Sequence, residues 1–184
     1  MAVMNRLVAA SGRPIEVSRR LVERGFGNIK RSVSKYRQAS YVIPHVVLTD
    51  LDRAECPAAL RAEWGAADLP ASMLFRVAVR ETESWLMGDR HGFAAFAAVA
   101  LNKVPQNPEA LQDPKETLIG LVRRSRKRRL IDELVPAHGS SVSIGPLYNE
   151  RLRESAAQSW DIDAASEACL SLQRARQRLA SFLV

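Results

Sequence analysis

The chain has 184 residues, 47% of them apolar, enough to close one core without disulfide or metal staples. Its two cysteines, Cys56 and Cys169, lie far apart without partners at metal-ligand spacing, and no apolar run nears the roughly 18 residues of a membrane span. A disulfide scaffold and a membrane-spanning helix are therefore excluded, and with no signal-peptide pattern at the start a cytoplasmic location is expected. The formal net charge of +7, from 27 Lys and Arg against 20 Asp and Glu, is mostly arginine and suits a phosphate-bearing partner such as nucleic acid, although it is spread over several segments.

In chain order, Val3, Leu7 and Val8 predict a short helix over Met1 to Ser11, closed by Gly12. Pro14 to Val17 reads as a short strand, Arg19 to Gly27 as a basic, glycine-containing passage, and Asn28 to Ser40 as a polar helix carrying Arg31, Lys35 and Arg37. The apolar run His45 to Asp50 is the expected central strand. A helix from Cys56-Pro57 to about Trp64 follows, with proline in its first turn, and Leu69-Pro70 breaks it. Met73 to Val79 is the next strand, leading into a helix that opens at Arg80 to Trp85. Beyond it come a small helix over Phe93 to Ala100, a proline-punctuated loop from Asn102 to Pro114 and a helix over Lys115 to Arg124. The basic run Arg123 to Arg129, a loop from Val135 to Gly145, and helices over Pro146 to Ser159 and Asp161 to Leu183 complete the chain.

Helices alternating with apolar strands predict an α/β fold. A small, largely parallel three-stranded sheet flanked by helices is expected over residues 1–90, with a helical C-terminal subdomain over residues 91–184 packed on it. Such sheets bind ligands at the carboxyl ends of their strands.

Two acidic pairs stand at those ends. Asp50 and Asp52 follow the first apolar run, and in an extended segment residues two apart project to one side, so both can face one cation. Alternatively they cap the turn and pair with Arg53. Glu81 and Glu83 follow the second run; their competing reading is a helix cap for Glu81 and a pair with Arg80 or Arg90 for Glu83. Hard oxygen ligands of this kind suit Mg²⁺ or Mn²⁺. The cations Arg123, Arg124, Arg126, Lys127, Arg128 and Arg129 are candidates for phosphate-backbone contact, or else a solvated turn partly offset by Asp132 and Glu133. His45, His91 and His138 have no partner at ligand or triad spacing. Trp85 and Trp160 read as core, and Tyr148 with Asn149 as a brace for a helix start.

Four segments carry a resemblance. They are Val46 to Arg53 with Cys56-Pro57, Phe75 to Leu86, Asp113-Pro114-Lys115, and Gly145-Pro146 with Tyr148-Asn149, and together they resemble an uncharacterised bacterial family of Toprim-related proteins. The resemblance implies a Toprim-like fold and a divalent-metal-dependent nuclease, distantly similar to those of the overcoming-lysogenization-defect type, working with an ATPase partner in phage defence or a mobile element. It matches Asp50 and Asp52 to the family's Asp-x-Asp and Glu81 and Glu83 to the acidic cluster after the next strand. Asp50, Asp52 and Glu81 would then hold Mg²⁺ or Mn²⁺, Glu83 would be a ligand or proton acceptor, and Lys115 would contact the scissile phosphate. The family's first glutamate has no counterpart, since Met1 already stands within the first helix and Glu16 belongs to the second expected strand. The rival expectation is a noncatalytic Toprim-like module that binds nucleic acid or protein, and an exposed helical face on the carboxyl half leaves room for a homo-oligomer. A small-molecule phosphotransfer enzyme finds no Gly-rich phosphate loop to support it.

Overall fold

The computed structural model describes residues 2–22 and 26–182. It is a mixed α/β protein, 54% helical, with a two-stranded parallel sheet flanked by helices. The elements are α1 (Ala2–Ala10), α2 (Phe26–Ala39), β1 (His45–Asp50), α3 (Pro57–Glu63), β2 (Met73–Ala78), α4 (Thr82–Gly88), α5 (Arg90–Ala97), α6 (Pro114–Val122), α7 (Arg128–Leu134), α8 (Tyr148–Gln158), α9 (Ile162–Ala168) and α10 (Leu170–Ala180). Short 3₁₀ turns at Leu101–Lys103 and Pro108–Ala110 fill the proline-punctuated segment. Among the described residues no helix is long and apolar enough to cross a membrane.

Capping explains several boundaries. Cys56 precedes Pro57 and its sulfur accepts from the Ala59 N–H, and Asp113 precedes Pro114 and accepts from the Glu116 N–H. Asp161 accepts from both Asp163 and Ala164 at the start of α9. Each joins a side-chain acceptor to first-turn N–H groups that have no partner inside the helix.

Strand pairing is in register from His45↔Met73 to Asp50↔Ala78. Alternation sends Val47, Phe75 and Val77 to one face, where they meet Val33, Tyr36, Leu60 and Trp64 of α2 and α3 and the turn after it. The other face meets the larger core, built from α1 and α4 through α10 around Trp85, Leu118, Leu134 and Leu172. Helix α1 packs on α8 and α10, so the first helix shares the core of the carboxyl-half helices.

Three expectations are corrected. Pro14 to Val17 forms no strand, so the described sheet has two strands instead of three. Pro14 has no N–H for a ladder, and most side chains from Arg13 to Arg20 are exposed, leaving little apolar surface to hold a strand in place. The long helix expected over Asp161 to Leu183 is broken at Cys169, whose backbone is extended, and Leu183 lies outside the described residues. There the Glu109 carboxylate takes the Ser171 N–H and hydroxyl and so supplies the restarted helix with a tertiary cap. Helix α4 starts at Thr82, two residues later than expected; of the basic passage Arg19 to Gly27, residues 23–25 lie outside the description.

Helix α4 carries Glu83 of the acidic cluster and is anchored in the core. Trp85 is fully buried and donates through Nε1 to Ser171 Oγ at 2.7 Å, while Trp160 donates to the Trp85 carbonyl at 3.1 Å. Gly88 lets α9 approach: a Cβ there would lie 2.7 Å from Cys169 Sγ and 2.9 Å from the Ala165 carbonyl oxygen. Gly88→Ala should therefore cost about 1–3 kcal/mol by overpacking, read as a lower urea midpoint with an unchanged slope.

Candidate active site

Strand β1 ends in Asp50, beside Ala78 at the end of β2. The Asp50 carboxylate accepts through Oδ1 from the backbone N–H of Thr82 at 2.8 Å. Thr82 is the first residue of α4, so Asp50 caps that helix from across the sheet, where the helix dipole favours a negative charge. Among the described residues nothing donates to Asp50 Oδ2.

Glu81 immediately precedes α4 yet does not cap it. Its carboxylate turns to Lys115 in the first turn of α6, accepting from the backbone N–H at 2.9 Å and from Nζ at 3.3 Å. Glu83 is buried, 7% exposed, and accepts from the Tyr148 hydroxyl at 2.9 Å and the Thr82 hydroxyl at 3.3 Å. Glu81 thus does not cap the helix that follows it, as the competing reading expected, and bonds instead to the first turn of α6. Neither Arg80 nor Arg90 pairs with Glu83: Arg80 donates to the carbonyls of Asp52 and Ala54, and Arg90 to those of Leu101 and Val104.

Asp52 stands apart. The strand ends at Asp50, and the Leu51 and Asp52 N–H groups bond to the carbonyl of Arg80. Asp52 then adopts a left-handed backbone with φ of 52° and is exposed. The same-side projection expected for Asp50 and Asp52 requires an extended chain through both residues. The turn removes that condition, and Asp52 is not brought into the cluster.

Charge crowding marks the site. Burial, then the negative charges of Glu83 and Glu81, push the Asp50 carboxyl up to about 7, against the opposing pull of the Thr82 N–H and Lys115. Glu81 is raised as well, by burial and then Glu83, with Lys115 opposing. Burial alone would lower Lys115, but Glu83, Glu81 and Asp50 outweigh it and hold the ammonium above its ordinary range. Tyr148 is raised by burial and then Glu83, so its hydroxyl stays protonated and remains a donor. Removing that donor by Tyr148→Phe leaves a buried carboxylate short of a partner, and should cost about 1–3 kcal/mol in chemical denaturation.

The set offers the oxygen donors that Mg²⁺ or Mn²⁺ takes, and Asp50 Oδ2 is open among the described residues. In this arrangement Glu81 faces Lys115 and Glu83 faces Tyr148, and among the described residues no group of three or more His, Cys, Asp or Glu is placed to hold a metal ion. The chemistry of the donors fits such an ion; their present orientation does not yet converge on one.

The basic run follows α6 at its far end from Lys115, about 12 Å along the helix for eight residues. All six cations are exposed. Lys127 Nζ donates to the Ala95 and Phe96 carbonyls at the end of α5, Arg128 pairs with Asp132 at 3.3 Å and Arg129 with Glu133 at 2.7 Å. Glu133 also binds Arg151, and the two guanidiniums hold its carboxyl down at about 2. Among the described residues Arg123, Arg124 and Arg126 have no side-chain partner and remain available to an external anion.

Thr82 and Tyr148 are the site members that spacing did not reveal. Tyr148 lies 65 residues from Glu83 and no local pattern links the two. His45 is a structural residue, stacked on Tyr36 with ring centroids 5.9 Å apart.

The fold and site together define a mixed α/β protein with a carboxylate cluster and one lysine at the carboxyl end of a parallel strand pair. Comparison with family models, with curated proteins and with solved structures finds no match to this chain.

Proposed function

We propose that this protein is a Toprim-like, divalent-metal-dependent nuclease that hydrolyses phosphodiester bonds at the Asp50–Glu81–Glu83 cluster. The observation that carries the reading is the Asp50 carboxyl, pushed up to about 7 by burial and two neighbouring carboxylates at a strand end. A titrating group perturbed in this way, beside a lysine, is the electrostatic pattern of a functional site, and a bound cation would relieve it.

Asp50, Glu81 and Glu83 would hold Mg²⁺ or Mn²⁺, which when bound supplies an activated water and stabilises the leaving oxygen. The chain's own groups do the rest. The Thr82 N–H fixes the Asp50 rotamer, and Tyr148 fixes Glu83. Lys115, once exchanged from Glu81 to substrate, places a positive charge on the scissile phosphate. Arg123, Arg124 and Arg126 would hold the backbone of the nucleic acid further along. An ATPase partner and a phage-defence or mobile-element setting belong to this reading through the family resemblance.

A second reading, a noncatalytic module that binds nucleic acid or protein, is favoured by one observation: Glu81 is already neutralised by Lys115. The two separate in a cleavage assay on single- and double-stranded DNA and on RNA with Mg²⁺ or Mn²⁺. Metal-dependent cleavage that is lost in Asp50→Ala and Glu81→Ala supports the nuclease. Binding without cleavage supports the module, and cleavage unchanged in both variants overturns the site.

A further inference from the structure

The sheet carries a second charged feature, set back from the carboxylates. Arg76 lies in β2 opposite Leu48, two residues before Ala78 or roughly 7 Å along the strand. Alternation places it on the face of Leu74 and Ala78, which α10 covers. On α10, Arg174 and Arg178 stand one turn apart and exposed, flanking the buried stripe of Leu172, Ala175 and Leu179. Arg61 of α3, a helix on the other face of the sheet, is a further cation without a carboxylate partner, its guanidinium held by the carbonyls of Ala66 at 3.0 Å and Ala67 at 3.3 Å.

These four cations are not balanced from within. Among the described residues no carboxylate pairs with any of them; the acids that form ion pairs serve Lys30, Lys115, Arg128, Arg129, Arg151 and Arg176. Arg76 is half-buried, and its Nε is enclosed without a hydrogen-bond partner. A buried guanidinium donor ordinarily finds an acceptor, and among the described residues none bonds to this Nε. Burial, then the positive charges of Arg61, Arg178 and Arg174, lower the proton affinity of Arg76 below the usual arginine range. Planar guanidiniums on a strand and on the helix that packs against it can offer a phosphate several N–H donors at once, which compact ammonium groups do not.

We propose that Arg76, Arg174 and Arg178 form a phosphate-binding site on the flank of the sheet, separate from the carboxylate cluster. Its phosphate comes either from a free polyphosphate or from a nucleic-acid backbone. The site needs no metal and no catalysis, so its test is independent of the nuclease reading.

The test is titration of the full chain in EDTA, at 50 and 200 mM salt, with tripolyphosphate and with a 20-nucleotide single strand. Wild type is compared with Arg174→Gln/Arg178→Gln, whose side chains are exposed, and with Arg19→Gln/Arg20→Gln as a control of equal charge change. Circular dichroism checks that both variants fold. Saturable binding that weakens about tenfold or more in the first variant and less than threefold in the control supports the site. Tripolyphosphate competing with the oligonucleotide assigns a free polyphosphate; loss of oligonucleotide binding alone, with a salt slope reduced by about 1.4, assigns the backbone. Failure of both probes to bind, or equal losses in the two variants, overturns the proposal.

Discussion

Asp50→Asn is expected to abolish metal-dependent cleavage while making the metal-free protein more stable above neutral pH. The Asp50 carboxyl has an ordinary value of 3.8 and is pushed up to about 7 in the fold, with burial as the largest cause. The folded state therefore binds this proton more tightly than the unfolded state, and folding takes it up between about pH 4 and pH 7. Wild-type stability is free of the penalty below about pH 4, declines as the pH rises through this window and levels off above about 7. At about 1.4 kcal/mol per pK unit the full difference is about 4 kcal/mol, and partial solvent access reduces the expected cost to about 2 kcal/mol. Asparagine keeps an oxygen for the Thr82 N–H and carries no charge, so the variant should lack this decline. Denaturation at pH 4.5 and pH 8 measures it. Added Mg²⁺ should raise the wild-type melting temperature at pH 8 and leave Asp50→Asn unmoved, because a ligand stabilises only the state that binds it. A variant less stable than wild type at pH 8 would show that the carboxylate is held as a structural cap instead.

Lys115→Met is expected to separate stability from activity in the opposite direction. The Lys115–Glu81 ion pair spans 3.3 Å with the lysine side chain 38% exposed, so its loss should cost under about 1 kcal/mol. The backbone N–H of residue 115 still donates to Glu81, which preserves the cap on α6. Cleavage, in contrast, should fall on the order of 10²-fold, the usual consequence of removing one charge-stabilising donor from a reacting phosphate. The same substitution removes a positive charge that lowers both Asp50 and Glu81, so the acidic limb of the pH–rate profile should move to higher pH. Activity within twofold of wild type would confine Lys115 to its capping role.

Both predictions depend on residues whose candidacy was legible in the linear chain, although their partners were not. Asp50, Glu81 and Glu83 stood out because each follows an apolar run, and those runs are β1 and β2 with boundaries within one residue of expectation. Lys115 is a candidate only through the resemblance that Asp113-Pro114-Lys115 helps to carry, and Asp113 and Pro114 do begin α6. The projection of Asp50 and Asp52 to one side failed because it assumed an extended backbone where a left-handed turn occurs. Glu83 pairs with neither Arg80 nor Arg90 because Tyr148, far along the chain, holds the position.

What the amino-acid order determined by itself is the local part: the two apolar strands, the proline-opened helices with their polar caps, and the acidic residues at the strand ends. These follow from side-chain periodicity and from bonds within a single turn, which act over a few residues. Tertiary structure alone decided that Pro14 to Val17 stays out of the sheet, that Glu109 restarts a helix after Cys169, and that Glu81 faces Lys115 while Asp50 caps α4. A buried polar group takes whichever partner packing brings within reach, and no spacing rule spans the 32 to 62 residues between these partners.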